Sequence, residues 1–338
     1  MKRVAALLAA ALLGAALLGC GGGGAEPGAP EGATLVLDFQ PNAVHSGIYA
    51  AQANGYFKDA GVDLTIREPS STADSAKLLE AGRADFAVTD INDFGIARER
   101  GLDLVAIAAI VQRPLASVIA RDPNEIRTPA DLAGKTIGVT GVPSDDAVLD
   151  TVLRSGGVDP TSVHRVTIGF NAVADLAAGK VDAATAFWNA EGVQLQQQGI
   201  PIREFRVDDF GAPRYPELVV VTSEARIARD RCAPDRALVA GLERGYSFMQ
   251  RDPNAALNDL ISDVAGLDRD SQGPQFKSLV VSHAWSPTDE MQRFTASLSS
   301  RRASQWVQWA GAHSVIPEGA ESKVSQGFVR LSPSEGCE

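Results

Sequence analysis

Cysteine is scarce in this chain of 338 residues, at three, and histidine is nearly as rare, at four. None of His45, His164, His283 and His313 stands at metal-ligand spacing from another histidine or from a cysteine, so no metal is expected. Basic clusters are missing as well: 31 Lys and Arg against 42 Asp and Glu leave a net charge of −11. Neutralising a phosphate backbone takes grouped Lys and Arg, which argues against a nucleic-acid partner. There is no G-x-S-x-G, paired-carboxylate or P-loop signature, so the motifs point to no catalytic class and to no cofactor. The 45% hydrophobic content is nonetheless that of a globular protein.

What is present begins at the amino terminus. Lys2 and Arg3 precede an uncharged apolar run from Val4 to Leu18, the pattern of a secretory signal over residues 1–19. The run is about fifteen residues, short of the roughly 18 to 20 that span a bilayer. Leu17-Leu18-Gly19-Cys20 resembles the bacterial lipobox, in which Cys20 is lipidated and anchors the chain to the cell membrane. Ordinary cleavage nearby would leave Cys20 a free thiol and the same extracytoplasmic location. Residues 20–32, rich in Gly, Ala and Pro, read as the lipidated end and a flexible tether. Cys232 and Cys337 form either a disulfide or two free thiols, and spacing does not choose.

From Thr34 onward short apolar runs alternate with helix-period segments, the signature of parallel α/β architecture. Residues 34–37 and 62–66 read as strands around a helix at 45–54 that Gly55 stops. An internal echo follows: residues 79–88 (LEAGRADFAV) and 176–185 (LAAGKVDAAT) match in kind, position for position. In each copy a helix ends at a glycine, and a strand follows a basic residue and an aspartate. Residues 135–140 open a second lobe as 34–37 open the first, and Ser144 caps a helix with Asp145 and Asp146 in its first turn. Residues 127–134 read as the link between lobes. The chain returns near Glu217 to the strand 218–221, and the rest is mostly helical, with candidates at 237–250, 254–264, 289–298 and 304–311. The expected division is lobe one at 33–117 plus 222–338 and lobe two at 118–221, too long a chain for one core.

In open parallel sheets ligands bind beyond the carboxyl ends of the strands. Those positions here are polar and aromatic: Asp38, Phe39, Asn42 and His45; Thr89, Asp90, Asn92 and Asp93; Gly141, Ser144 and Asp145; Phe187, Trp188, Asn189 and Glu191. Two sets of strand ends would face one crevice.

The stretch Leu37-Asp38-Phe39-Gln40-Pro41-Asn42, followed by His45, Gly47 and Tyr49, resembles the L-D-W-x-P-N-x-x-H-x-G-x-Y opening of ABC-transporter substrate-binding lipoproteins for thiamine pyrimidine precursors. Residues 111–115 with Gln112, the segment 187–192 resembling Y-W-N-x-E-G, and 215–219 with Tyr215 extend the resemblance from Leu35 to Asn254. Phe39 departs from the usual Trp. The resemblance implies a type II periplasmic-binding-protein fold, two Rossmann-like lobes closing on a formylamino- or hydroxymethyl-pyrimidine. It also implies a monomer that delivers its ligand to an ABC permease.

Within that implied family Glu191 engages the aminopyrimidine edge with two charge-assisted bonds. Phe39 and Trp188 sandwich the ring, each contact worth roughly 1 to 3 kcal/mol. Asp38, Asn42 and His45 supply further hydrogen bonds. Gly141 with Ser144, and Ser70, Ser71 and Thr72, each precede a helix and either hold an anionic group or cap that helix. Read without the family, Glu191 could face solvent at a helix start, either aromatic could be core, and His45 could lie on a helix surface.

Three rivals stay open. Another cargo, such as a riboflavin precursor or a sulfonate, would leave the fold unchanged, although a sulfonate would rather want Arg or a backbone nest. A pyrimidine synthase with the same fold would resemble this motif set, but it holds pyridoxal phosphate on a lysine beside a histidine and a cysteine-rich motif. Residues 88–90 offer no lysine there. An adhesive lipoprotein would not need complementary polar strand ends in both lobes.

Overall fold

The computed structural model describes residues 30–70, 74–230, 233–286, 294–329 and 331. The signal, Cys20, most of the tether, Ser71, Thr72, Cys232 and Cys337 lie outside the described residues.

The apolar run at 34–37 falls largely in β1 (Glu31–Val36), followed by α1 (Ser46–Ala53), α2 (Tyr56–Ala60) and β2 (Val62–Arg67). Next come α3 (Asp74–Glu80), β3 (Phe86–Asp90), α4 (Ile91–Glu99) and β4 (Leu104–Ala109). The chain then crosses to a second sheet: β5 (Ala116–Arg121), β6 (Thr136–Val139), α5 (Pro143–Ser155), β7 (His164–Thr167), α6 (Ala172–Ala177), β8 (Ala183–Phe187), α7 (Val193–Gln197) and β9 (Ile202–Arg206). It returns as β10 (Leu218–Ser223), followed by α8 (Glu224–Asp230), α9 (Ala233–Arg251), α10 (Pro253–Asp263), α11 (Arg269–Val281), α12 (Ser300–Ala312) and α13 (Glu321–Ser325).

The two sheets have one plan, with orders β2-β1-β3-β10-β4 and β7-β6-β8-β5-β9. Neither is all-parallel, as the alternating pattern led one to expect: β10 runs antiparallel between β3 and β4, and β5 antiparallel between β8 and β9. These two strands are the first after each crossing and enter the sheet from its far end. The crossings lie at 110–115 and 207–217, a few residues from the expected boundaries at 117/118 and 221/222. Residues 127–134 therefore do not link the lobes. They join β5 to β6 within the second, through a short 3-10 turn at Pro129–Leu132.

The echo is structural. Gly82 and Gly179 end their helices at φ 63° and 66°, left-handed values that cost glycine no steric clash. Three residues on, Asp85 accepts the backbone N–H of Thr34 at 2.8 Å, and Asp182 accepts that of Thr136 at 2.8 Å. Each aspartate thus pins the start of its sheet's central pair.

Both faces of each sheet are covered, which the period of two in the strands requires. In the first sheet Leu35, Phe86, Val88 and Val220 face α1, α9 and α10, while Val36, Ala87, Val219 and Val221 face Phe94 of α4 and Trp306 of α12. In the second, Val118 and Ile137 pack on Leu149, Val152 and Leu153 of α5, and Ile119 and Ala184 on Leu176 and Leu195. Helix α9 lies so close to α1 that a Cβ on Gly245 would strike the carbonyl oxygen of Gly47. One helical expectation fails and one helix goes unforeseen. Residues 294–298 are not helical, the remainder of 289–298 lying outside the described residues, and α11 forms where Gly273 and Pro274 hide the helical period.

Candidate ligand-binding cleft

The carboxyl ends of β1, β3, β6 and β8 converge on a cleft enclosing about 800 Å³ of empty space, part of it open to solvent. Of the residues expected at a site, Asp38, Phe39, Asn42, Thr89, Asp90, Ser144 and Glu191 line it. Asp93, Asp145 and Phe187, also among the strand-end positions, line it too, and Ser75, Ser117, Thr140 and Thr185 join them. The described lining holds five carboxylates, Asp38, Asp90, Asp93, Asp145 and Glu191, and no Lys, Arg or His.

The first lobe's wall is set by a short 3-10 turn. The Val44 N–H donates to Asn42 Oδ1 at 3.0 Å, and the Asn42 N–H donates to His45 Nδ1 at 3.2 Å. Because Nδ1 accepts there, the ring proton sits on Nε2, which donates to Asp38 Oδ1 at 3.0 Å. His45 is fully buried behind Asp38 and orients it, and so does not line the cleft.

The second lobe's wall departs from expectation at the aromatic. Trp188 is 1% exposed, its indole N–H donates to the Pro114 carbonyl at 3.0 Å, and the Arg206 guanidinium lies 4.2 Å from its ring centre. It is a wedge beneath the cleft, and its neighbour Phe187 is the ring that lines it. Asn189 is also fully buried, within the π-helical turn Trp188–Gly192. Glu191, from the same turn, reaches the cleft, and its Oε2 accepts the Phe187 N–H at 3.1 Å. Burial, with the Asp38 charge a lesser cause, raises the Glu191 carboxyl to about 7.

Gly141 does not line the cleft; its N–H donates to Asp145 Oδ2 at 2.9 Å. Asp145 also accepts the Thr140 hydroxyl at 2.7 Å and the Thr185 hydroxyl at 2.9 Å, so it braces β6 against β8. Ser144 does not cap α5 with its side chain, since Val142 is the N-cap and Ser144 lies inside the first turn. Gln112 and Tyr215 belong to the crossings: Gln112 donates to the Thr295 carbonyl at 3.0 Å, and fully buried Tyr215 packs on Trp309 at 5.7 Å. Between those crossings Glu217 accepts the Leu115 N–H at 2.6 Å and the Ala116 N–H at 3.2 Å, tying one to the other. Burial and the Glu217 charge push the Asp90 carboxyl well up, and burial and the Asp90 charge push Asp93 to about 8. Such a wall is suited to a ligand that is cationic or rich in N–H donors.

A model of the NMT1/THI5-like family matches residues 42–256. The chain belongs to that family. It is similar to the formylaminopyrimidine-binding protein of Halalkalibacterium halodurans, 29% identical over 306 residues, covering 88% of this chain and 91% of that one. It is also similar to the 4-amino-5-hydroxymethyl-2-methylpyrimidine phosphate synthase of Legionella pneumophila, 28% identical over 226 residues, 66% of this chain and 71% of that enzyme. Among solved structures, the alkanesulfonate-binding protein SsuA from Xanthomonas axonopodis pv. citri superposes with a TM-score of 0.70 at 18% identity, covering 90% of this chain and 99% of that one. The fold of this family member is thus the two-lobed, type II fold of periplasmic binding proteins.

Proposed function

We propose that this protein is the extracytoplasmic solute-binding component of an ABC importer and that its ligand is a thiamine-related pyrimidine of the formylaminopyrimidine or hydroxymethylpyrimidine type. The observation that carries the reading is a cleft between lobes whose described lining has five carboxylates, no cation, and an aromatic ring from each side, Phe39 and Phe187. A sulfonate would find no cationic side chain to pair with among the described lining residues. An aminopyrimidine presents a ring nitrogen beside an exocyclic amine, and one carboxyl group can engage both.

Glu191 is suited to that task. One of its oxygens is held by the Phe187 N–H, which fixes its direction, and a carboxyl raised to about 7 can share a single proton with the ring nitrogen. Whether the proton lies on the acid or on the ring, the bonded pair is the same. Asp38, held by His45, offers a second acceptor. Phe39 and Phe187 supply stacking of roughly 1 to 3 kcal/mol each.

The synthase relatives raise the reading of an enzyme. A pyridoxal phosphate Schiff base needs an amine, and the described cleft residues include no lysine to provide one. Binding without catalysis is the reading these residues support. Delivery to a permease, a lipid anchor on Cys20 and a monomeric state complete the proposal. Calorimetry with formylaminopyrimidine, hydroxymethylpyrimidine and an alkanesulfonate tests it. Saturable binding of a pyrimidine, weakened about tenfold or more by Glu191→Ala, is expected, and preference for the sulfonate overturns it.

A further inference from the structure

Helix α5 begins without a cap of its own. Its N-cap is Val142, whose side chain accepts nothing, and Pro143 fills the first helical position, so the first free N–H is that of Ser144. That N–H donates to Asp93 Oδ1 at 3.2 Å and the Ser144 hydroxyl donates to Asp93 Oδ2 at 3.0 Å. Asp93 stands in the first turn of α4, in the other lobe. One lobe therefore caps a helix of the other, and it does so with both oxygens of one carboxyl group.

A contact can shift a two-state equilibrium only if it differs between the states. Hydrogen bonds within a lobe survive any change in the angle between lobes. The Asp93 to Ser144 pair spans the cleft, so its energy belongs to the closed form. Other contacts between the lobes are the edge-on packing of Phe39 on Phe170 at 4.5 Å, which is apolar and less directional, and the Gln197 side-chain amide donating to the exposed Asp270 carbonyl at 2.6 Å. Asp93 also faces the charges of Asp90 and Asp145. A ligand bringing N–H donors between these acids adds favourable contacts that exist only while the two walls are held together.

We propose that Asp93 is a positioning residue for ligand retention, a latch that caps α5 across the cleft and couples a donor-rich ligand to closure. Asp93 also lines the cleft, and its hold on Ser144 acts on release rather than on encounter. The kinetic part of this inference rests on the ligand class proposed above.

Stopped-flow tryptophan fluorescence with formylaminopyrimidine reads the two rates. In Asp93→Ala dissociation should quicken about tenfold, the order expected for losing a side-chain cap, with association changed less than about twofold. Ser144→Ala should do less, because its N–H still reaches Asp93. The double variant should match Asp93→Ala, and Asp93→Asn, which keeps one acceptor oxygen, should lie between it and wild type. Multiplying effects in the double variant, or a loss confined to association, would overturn the latch. If the wild-type protein binds no pyrimidine, the functional reading fails alone. Spin labels on the two lobes then decide: loss of the short interlobe distance in ligand-free Asp93→Ala supports the latch, and distance distributions equal to wild type overturn it.

Discussion

Proton uptake on binding follows directly from Glu191. Its carboxyl is raised from 4.5 to about 7, chiefly by burial, and the proposed complex holds one proton between it and the ring nitrogen. Below about 7 the free protein carries that proton already, and a neutral ring binds with no net exchange. Above about 7 the free carboxyl has lost it, so each binding event must draw one proton from solvent and affinity falls with rising pH. Two units above, roughly one molecule in a hundred keeps the proton, and affinity at about pH 9 should be about fifty-fold below that at pH 7. Calorimetry in buffers of different ionisation enthalpy counts the protons. The count should rise from about one half at pH 7 toward one at about pH 9. Glu191→Gln, which can pair with the ring but cannot titrate, should bind more weakly and lose this part of the slope. A wild-type affinity that is flat over this range, with no proton taken up, would refute the assignment.

Phe39→Ala and Phe187→Ala should each weaken binding by about 1 to 3 kcal/mol in titrations, the worth of one stacked ring. Trp188→Ala should instead lower stability by about 3 to 5 kcal/mol in denaturant melts, because that ring is a buried wedge. Gly245→Ala should cost about 1 to 3 kcal/mol in the same melts, since the added methyl forces α9 away from α1.

Much of this architecture is legible in residues because its devices are local. The glycines at 82 and 179 and the aspartates at 85 and 182 act on neighbours fixed by the turn they form, so their repetition reads directly as two related lobes. Strand direction is different. A buried run such as 218–221 carries no mark of whether it enters its sheet parallel or antiparallel, and both crossing strands turn out antiparallel. Phase is equally silent. At the end of β8 adjacent side chains diverge, so Phe187 and Trp188 could not both line the cleft, and composition favours the larger ring for either place. The strand-end rule located the carboxylates of Asp38, Asp90 and Glu191. It could not show that His45 stands behind Asp38, nor that Ser144 serves the opposite lobe, because both depend on partners brought together by the fold.

The most direct trial of the central claim is the structure of the complex with formylaminopyrimidine. The ring should lie in the interlobe cleft against Phe39 and Phe187, with the Glu191 carboxyl within hydrogen-bond reach of both the ring nitrogen and the exocyclic amine. A ring bound elsewhere, or one whose amine edge turns away from Glu191, would contradict it.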